Sequence, residues 1–348
     1  MDVGFQKAGF QVVWANEIDK HAAGTYRASL GEHLSENDIV AELDELRHYR
    51  DEVDCVIGGP PCQGFSVAGK MDLNDPRSSL VRTFLDVVAI VQPRLFVMEN
   101  VKSLATLNKF SEVRKGLMQT SAGLGYSAEL FVLNSRHFNT PQSRERMFLV
   151  GIKDRAITHI ECRTVKYRQP EVCTREAIQH LGPAGTQINP LTCKANITLA
   201  ARPVLRKSPY AGMLFNGAGR PINPEMPSPT LPASMGGNKT PIIDERHYYE
   251  GGASWTEEYH THLMTGGAPY NWKATPPFLR RLTIEEARVL HTFPDEHKFV
   301  GPMSSVYKQI GNAVPCNLAE AVARAAIDEL EERPLPNPED HQGMLFAK

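Results

Sequence analysis

Val53-Asp54-Cys55-Val56-Ile57-Gly58 runs straight into Gly59-Pro60-Pro61-Cys62-Gln63-Gly64-Phe65-Ser66. The first six residues have the length and branched apolar content of a buried strand. Two glycines and two prolines then fix a tight loop that presents one thiol past the strand's carboxyl end. Working outward, the same pattern recurs: residues 11–16, 94–99, 128–133 and 147–152 read as further short strands. Between them, 22–30, 80–91 and 111–124 carry helical spacing and helix formers. This alternation predicts an α/β fold, a doubly wound and mostly parallel sheet with helices on both faces. In such sheets ligands bind at the carboxyl ends of the strands.

The chain has 348 residues, enough for two or three domains or one large domain with an insertion. Apolar residues make up 41% and charged residues 22%, an ordinary soluble composition. The net charge of −2 excludes a histone-like basic binder, although local patches remain open to nucleic acid. Mean hydropathy is −0.33, no run reaches the length of a membrane span, and no signal peptide precedes the first strand. Six cysteines (55, 62, 162, 173, 193, 316) are too few and irregular for a disulfide framework, which fits a cytoplasmic protein with reduced thiols.

Charge and breakers divide the chain. Residues 1–150 carry 16 basic and 19 acidic side chains, whereas 151–278 carry 14 and 10. That middle segment also holds 14 of the 25 prolines and 12 of the 26 glycines, which argues for loops and short strands over long helices. On charge alone it is either a solvated insertion or a surface for an anionic partner.

Each strand end offers something chemical. Glu17 follows the first, where a carboxylate can accept from a ribose diol or simply be a surface charge. Cys62 follows the second, on an exposed loop where neighbouring cations favour a thiolate. Glu99 follows the third, placed to hold a proton if burial raises its pKa. Gln142-Ser143-Arg144-Glu145-Arg146 alternates at period two, so both guanidinium groups are expected on one face, suited to an anionic or carbonyl oxygen.

The order Pro61-Cys62-Gln63, Glu99-Asn100-Val101, Gln142-x-Arg144-x-Arg146 and Gly311-Asn312-Ala313-Val314-Pro315 resembles the C5-cytosine-specific DNA methyltransferases. Residues 279–295 look like the stretch before that family's last motif, and the likeness is weakest between 155 and 275. The resemblance implies a Rossmann-like methyltransferase fold with a smaller, loop-rich target recognition domain inserted. The expected division is a catalytic domain at 1–152, recognition domain at 153–278, return to the catalytic domain at 279–332 and a mobile tail at 333–348. It also implies methyl transfer from S-adenosylmethionine, leaving S-adenosylhomocysteine, to a flipped cytosine in double-stranded DNA, as in restriction-modification. Cys62 would add to C6, Glu99 would serve N3, and Arg146, supported by Arg144, would bind O2. Cofactor contacts would come from Glu17, Ile18, Asp38, Ile39, Pro61, Leu80, Asn312 and Ala313. DNA contacts would come from Gln63 and Ser66 and from a recognition loop containing Thr230, Gly236 and Gly237. No metal is expected, since His260 and His262 lack partners at ligand spacing.

The family's first strand and its glycine turn have no counterpart ahead of Met1-Asp2-Val3-Gly4-Phe5, which looks like the segment just past that turn. The expectation is an N-terminally truncated member whose start lies inside a longer reading frame; a degenerate DNA-binding relative is the alternative. An RNA cytosine methyltransferase on the same scaffold is a further alternative, because the catalytic motifs do not name the nucleic acid. The protein is expected to be a monomer with no membrane contact. At the other end, Gln342-Gly343-Met344-Leu345-Phe346 either docks back on the body or engages a bacterial sliding clamp through Gln342, Leu345 and Phe346.

Overall fold

A computed structural model of the chain describes residues 1–61, 80–157 and 159–335. Cys62, Gln63 and Ser66 lie outside the described residues, as do Gln342, Leu345 and Phe346. In chain order the strands of the first half are β1 (Ala15–Asn16), β2 (Leu34–Ser35), β3 (Cys55–Gly58), β4 (Leu95–Val101), β5 (Tyr126–Asn134), β6 (Gln142–Ser143) and β7 (Glu145–Lys153). The central sheet has the order β3-β4-β7-β5. β3 pairs parallel with β4, and β7 runs antiparallel to both of its neighbours. Three of its four strands, β3, β4 and β5, therefore point the same way, so the strands are mostly parallel as the alternation predicts, with β7 reversed between β4 and β5.

Alternate residues of the central strands feed two different cores, which is why these strands read as continuous apolar runs. Leu95 and Val97 of β4 and Phe148 and Val150 of β7 pack with Leu318, Val322 and Ala326 of the helix Cys316–Leu330. Phe96, Met98, Met147 and Leu149 pack on the opposite face with Val81, Phe84 and Val88 of the helix Leu80–Val91. Leu117 of the helix Ser111–Gly123 joins that second layer. The short helix Asp2–Lys7 lies on Cys316–Leu330, with Gly4 at the point of closest approach.

The second half adds β8 (Leu199–Val204), β9 (Met213–Phe215), β10 (Ser228–Pro229), β11 (Ile242–Asp244) and β12 (Leu279–Arg281). These form two-stranded pairs, in keeping with the density of prolines and glycines. The cores divide the chain differently from the expected segments. Ile178, Leu231 and Ile243 share one core with Leu282, Leu290, Tyr307 and Ile310, so 279–312 packs with the middle of the chain. Conversely, Ile157, Ile160 and Tyr167 pack with the catalytic sheet.

β1 and β2 pair parallel with each other but stand apart from the central sheet. Ala15 and Glu17 direct their N–H groups to the carbonyls of His33 and Ser35 on the β2 side, so the backbone N–H and C=O groups of Trp14 and Asn16 face away from it, although Asn16 Nδ2 donates back to Ser35 O. On the other side, Asp54 O accepts from Leu95 N, so Cys55 and Ile57 face away from β4. These two edges, which have no strand partner among the described residues, look into one cleft that Val12, Trp14, Cys55 and Ile57 all line.

Candidate active site

The site lies at the carboxyl ends of β3 and β4. Gly58 and Gly59 allow the chain to leave β3 under close cover: a Cβ on Gly58 would stand 2.8 Å from the Phe84 ring, and one on Gly59 3.2 Å from Glu99 Oε2. Asn100 Nδ2 donates to Pro60 O at 3.2 Å, tying the loop before Cys62 to the end of β4. Pro61 is the last described residue before Cys62, and Leu80 is the first described residue after it.

Glu99 is 9% exposed and its Oε1 lies 2.8 Å from Arg146 Nε on β7. The register explains the contact: Arg146 pairs with Val101, so it is the diagonal neighbour of Glu99 on the same sheet face. Burial raises the Glu99 pKa above its usual 4.5, while the charges of Arg146 and then Arg144 oppose that rise. A carboxyl group balanced in this way can hold a proton at a pH where an exposed glutamate has lost it.

Arg144 lines the same cavity as Arg146 but is also tied into the backbone of other segments. The ladder breaks between β6 and β7, and Arg144 occupies the break. At 1% exposure it donates from Nη1 to Leu231 O at 3.0 Å and from Nη2 to Gly311 O at 2.7 Å. Its charge reaches Glu99, but these two donors serve backbone carbonyls.

Around the same cavity of about 3090 Å³ the structure gathers Glu17, Ile18, Asp38, Ile39, Pro61 and Leu80, together with Asn312 and Ala313 and the Glu99–Arg146 pair. Glu17 Oε1 accepts from Asp19 N at 2.7 Å, and burial raises its pKa. Asp38 caps the helix Ile39–Glu42 by accepting from Val40 N at 2.9 Å. Ile18 is 67% exposed, a large apolar side chain left open on the cavity wall. Thr230 also lines the cavity, whereas Gly236 and Gly237 do not. Gly236, at φ +102°, sits against Ser304 and Tyr307 of the helix Met303–Asn312. His260 and His262 each face a backbone carbonyl, of Arg206 and Ala268.

Sequence reasoning missed Asn100 and a group of rings on the cavity wall. Phe293, His297 and Phe299 pack with centroids 4.7–5.1 Å apart. Burial holds the His297 pKa down at about 4, so the ring is neutral near pH 7. The spacing of Phe293, His297 and Phe299 carries no regular period, so only the fold brings them together. Asn100 had a signal, its place beside Glu99 at a strand end.

The Type II methyltransferase M1.HphI of Haemophilus parahaemolyticus is 34% identical over 339 residues, covering 93% of this chain and 83% of the relative. M.NgoPII of Neisseria gonorrhoeae is 29% identical over 342 residues, covering 95% and 93%. Among solved structures, S. pombe Dnmt2 methyltransferase superposes with a TM-score of 0.64 at 17% identity, covering 95% of each chain. Entamoeba histolytica methyltransferase EhMeth gives 0.62 at 15%, covering 94% of each; at such identities the likeness speaks for the fold. A family profile of C-5 cytosine-specific DNA methylases matches residues 1–328, and with this fold and this rim of residues the chain belongs to that family.

Proposed function

We propose that this protein transfers a methyl group from S-adenosylmethionine to C5 of a cytosine flipped out of duplex DNA. The observation that carries the reading is the Glu99–Arg146 pair, buried at the strand rim against the loop that leads to Cys62. The Cys62 thiolate adds to C6 and Glu99 delivers a proton to N3, which makes C5 an enamine carbon able to take the methyl group. Arg146 hydrogen-bonds O2 as electron density shifts onto the ring. A base then removes the C5 proton, and the C6–S bond breaks to return the thiolate. The donor supplies an electrophilic methyl on sulfur. Glu17, with one carboxylate oxygen beyond its bond to Asp19, suits a ribose diol, and Ile18, Ile39 and Leu80 offer apolar surface to a purine. Asp38, Pro61, Asn312 and Ala313 complete that wall.

The loop-rich middle of the chain serves as the recognition region, with Thr230 on the cavity wall, and Gln63 and Ser66 meet the DNA beside Cys62. The edges at Trp14 and Asn16 and at Cys55 and Ile57, without a strand partner among the described residues, support the reading that one further strand belongs between them. Such a strand would close the methionine end of the cofactor pocket. The protein works as a monomer in the cytoplasm, and its tail offers Gln342, Leu345 and Phe346 to a sliding clamp. A pull-down with purified clamp tests that last step; equal retention of the intact chain and a Leu345→Ala/Phe346→Ala variant rejects it.

Duplex DNA containing 5-fluorocytosine tests the central reading, because the fluorine blocks the final elimination. With cofactor present the wild-type chain should form a stable adduct and Cys62→Ala none. An adduct with the variant rejects Cys62 as nucleophile, and an adduct formed only with 5-fluorocytidine RNA moves the substrate to RNA.

A further inference from the structure

Gln142 and Arg144, alternate residues of one short stretch, hold both backbone groups of a single residue 87 or more positions away. Gln142 Oε1 accepts from Leu231 N at 3.0 Å and Arg144 Nη1 donates to Leu231 O at 3.0 Å. The residue between them takes part as well: Thr230 Oγ1 donates to Ser143 O at 2.9 Å. β10 pairs parallel with β6, with Ser228 opposite Gln142. These polar ties fix the register of the recognition stretch against the strand that continues into Arg146.

Arg144 also reaches a third element. Its Nη2 donates to Gly311 O at 2.7 Å, one residue before Asn312. Gly311 itself is pressed onto the recognition stretch, because a Cβ there would stand 2.5 Å from the Ala233 backbone. Gln142 Nε2 meanwhile donates to Leu290 O at 3.2 Å and lies 3.0 Å from His291 Nδ1. Burying a guanidinium is costly unless its donors are used. A rigid fork can bridge two carbonyls at a fixed separation, which a lysine ammonium cannot reproduce.

We propose that Arg144 is a positioning residue that locks the recognition stretch 228–235 and the Gly311-Asn312 turn in register with Arg146, so that base reading and methyl transfer are coupled. The inference rests on the DNA methyltransferase reading above. Arg144 acts through Arg146 and Leu231 and is not assigned to the cytosine itself. Loosening the fork lets the recognition stretch shift while the Glu99–Arg146 pair stays assembled. Discrimination between target and near-target sequences therefore falls further than the rate on the target.

The test starts with bisulfite sequencing of DNA methylated by the purified full chain, which defines the target sequence. Rates are then compared on the target duplex and on duplexes with one base pair changed. Arg144→Lys should lower the ratio of target to near-target kcat/KM by about tenfold, the scale of one lost base discrimination. The pH profile of kcat should keep its midpoint, since the charge beside Glu99 is retained. Gln142→Met removes the acceptor for Leu231 N–H and should move the ratio in the same direction. An unchanged ratio, whether rates hold or fall equally on all duplexes, overturns the coupling. Failure of both variants to fold makes the clamp a stability element and also overturns it. A wild-type chain that methylates no DNA overturns the functional reading and this inference together.

Discussion

Glu99 is the residue on which burial and charge pull in opposite directions. Its carboxyl is pushed up by desolvation and drawn down by Arg146 at 2.8 Å, with the rise winning. Glu99→Gln keeps the shape and a hydrogen-bond acceptor for Arg146 but cannot exchange a proton. Its kcat should fall roughly 10²–10⁴-fold, the usual worth of a positioned acid, with folding intact; a variant within a factor of a few of wild type removes Glu99 from the proton path. The same shift has a sign in stability. The folded value lies above the unfolded 4.5, so proton binding favours the folded chain. That contribution is complete below the unfolded value and is lost as pH rises through the folded one. As pH rises above 4.5 and through the raised folded value, the wild type should therefore lose more thermal stability than Glu99→Gln. Parallel melting curves across that range would contradict a raised value.

At the scale of elements, contact between backbones sets what the sequence can tolerate. Gly4 brings the helix Asp2–Lys7 onto Cys316–Leu330 so closely that a Cβ would stand 2.6 Å from Cys316 O and Glu320 N. Backbone atoms cannot swing aside as a side chain can. Gly4→Ala should therefore cost about 1–3 kcal/mol, read as a lowered thermal midpoint or a lower urea midpoint at unchanged slope; an unshifted midpoint would mean that the two helices separate freely. Elements with their own periodicity were legible: 80–91 forms as read, and 111–124 forms as Ser111–Gly123. All five expected strands appear, but 11–16 pairs only at Ala15–Asn16, because a strand is defined by its neighbours and Val12 to Trp14 have none among the described residues. Glu99 and Arg146 were each legible, from a strand end and from alternation, but their contact with each other was not, since it depends on the β4–β7 register. The ties of Arg144 were not, since their acceptors are backbone carbonyls 87 and 167 residues away and carry no side-chain signature.

Across the whole molecule, the cleft between the two sheets decides how the catalytic half behaves. Leu95, Val97, Phe148 and Val150 are at most marginally exposed, whereas Cys55 and Ile57 in the adjacent strand remain half-buried, as Trp14 does across the gap. The backbone shows the same asymmetry. Val56 bonds into β4, while Cys55 and Ile57 turn their N–H and C=O groups to the cleft, where no partner stands among the described residues. Half-buried groups of this kind exchange their hydrogens with water without global opening, whereas ladder amides at the sheet centre wait for it. Hydrogen exchange should therefore find the amides of Cys55 and Ile57 roughly 10³-fold or more faster than those of Val97 and Val150. Trp14 and Asn16 should join the fast group, because they face the same space from the other side. A parallel strand seated in the cleft would slow all four together and leave Val97 unchanged. If Cys55 and Ile57 already exchange as slowly as Val97, the edge is paired and the cleft takes no strand.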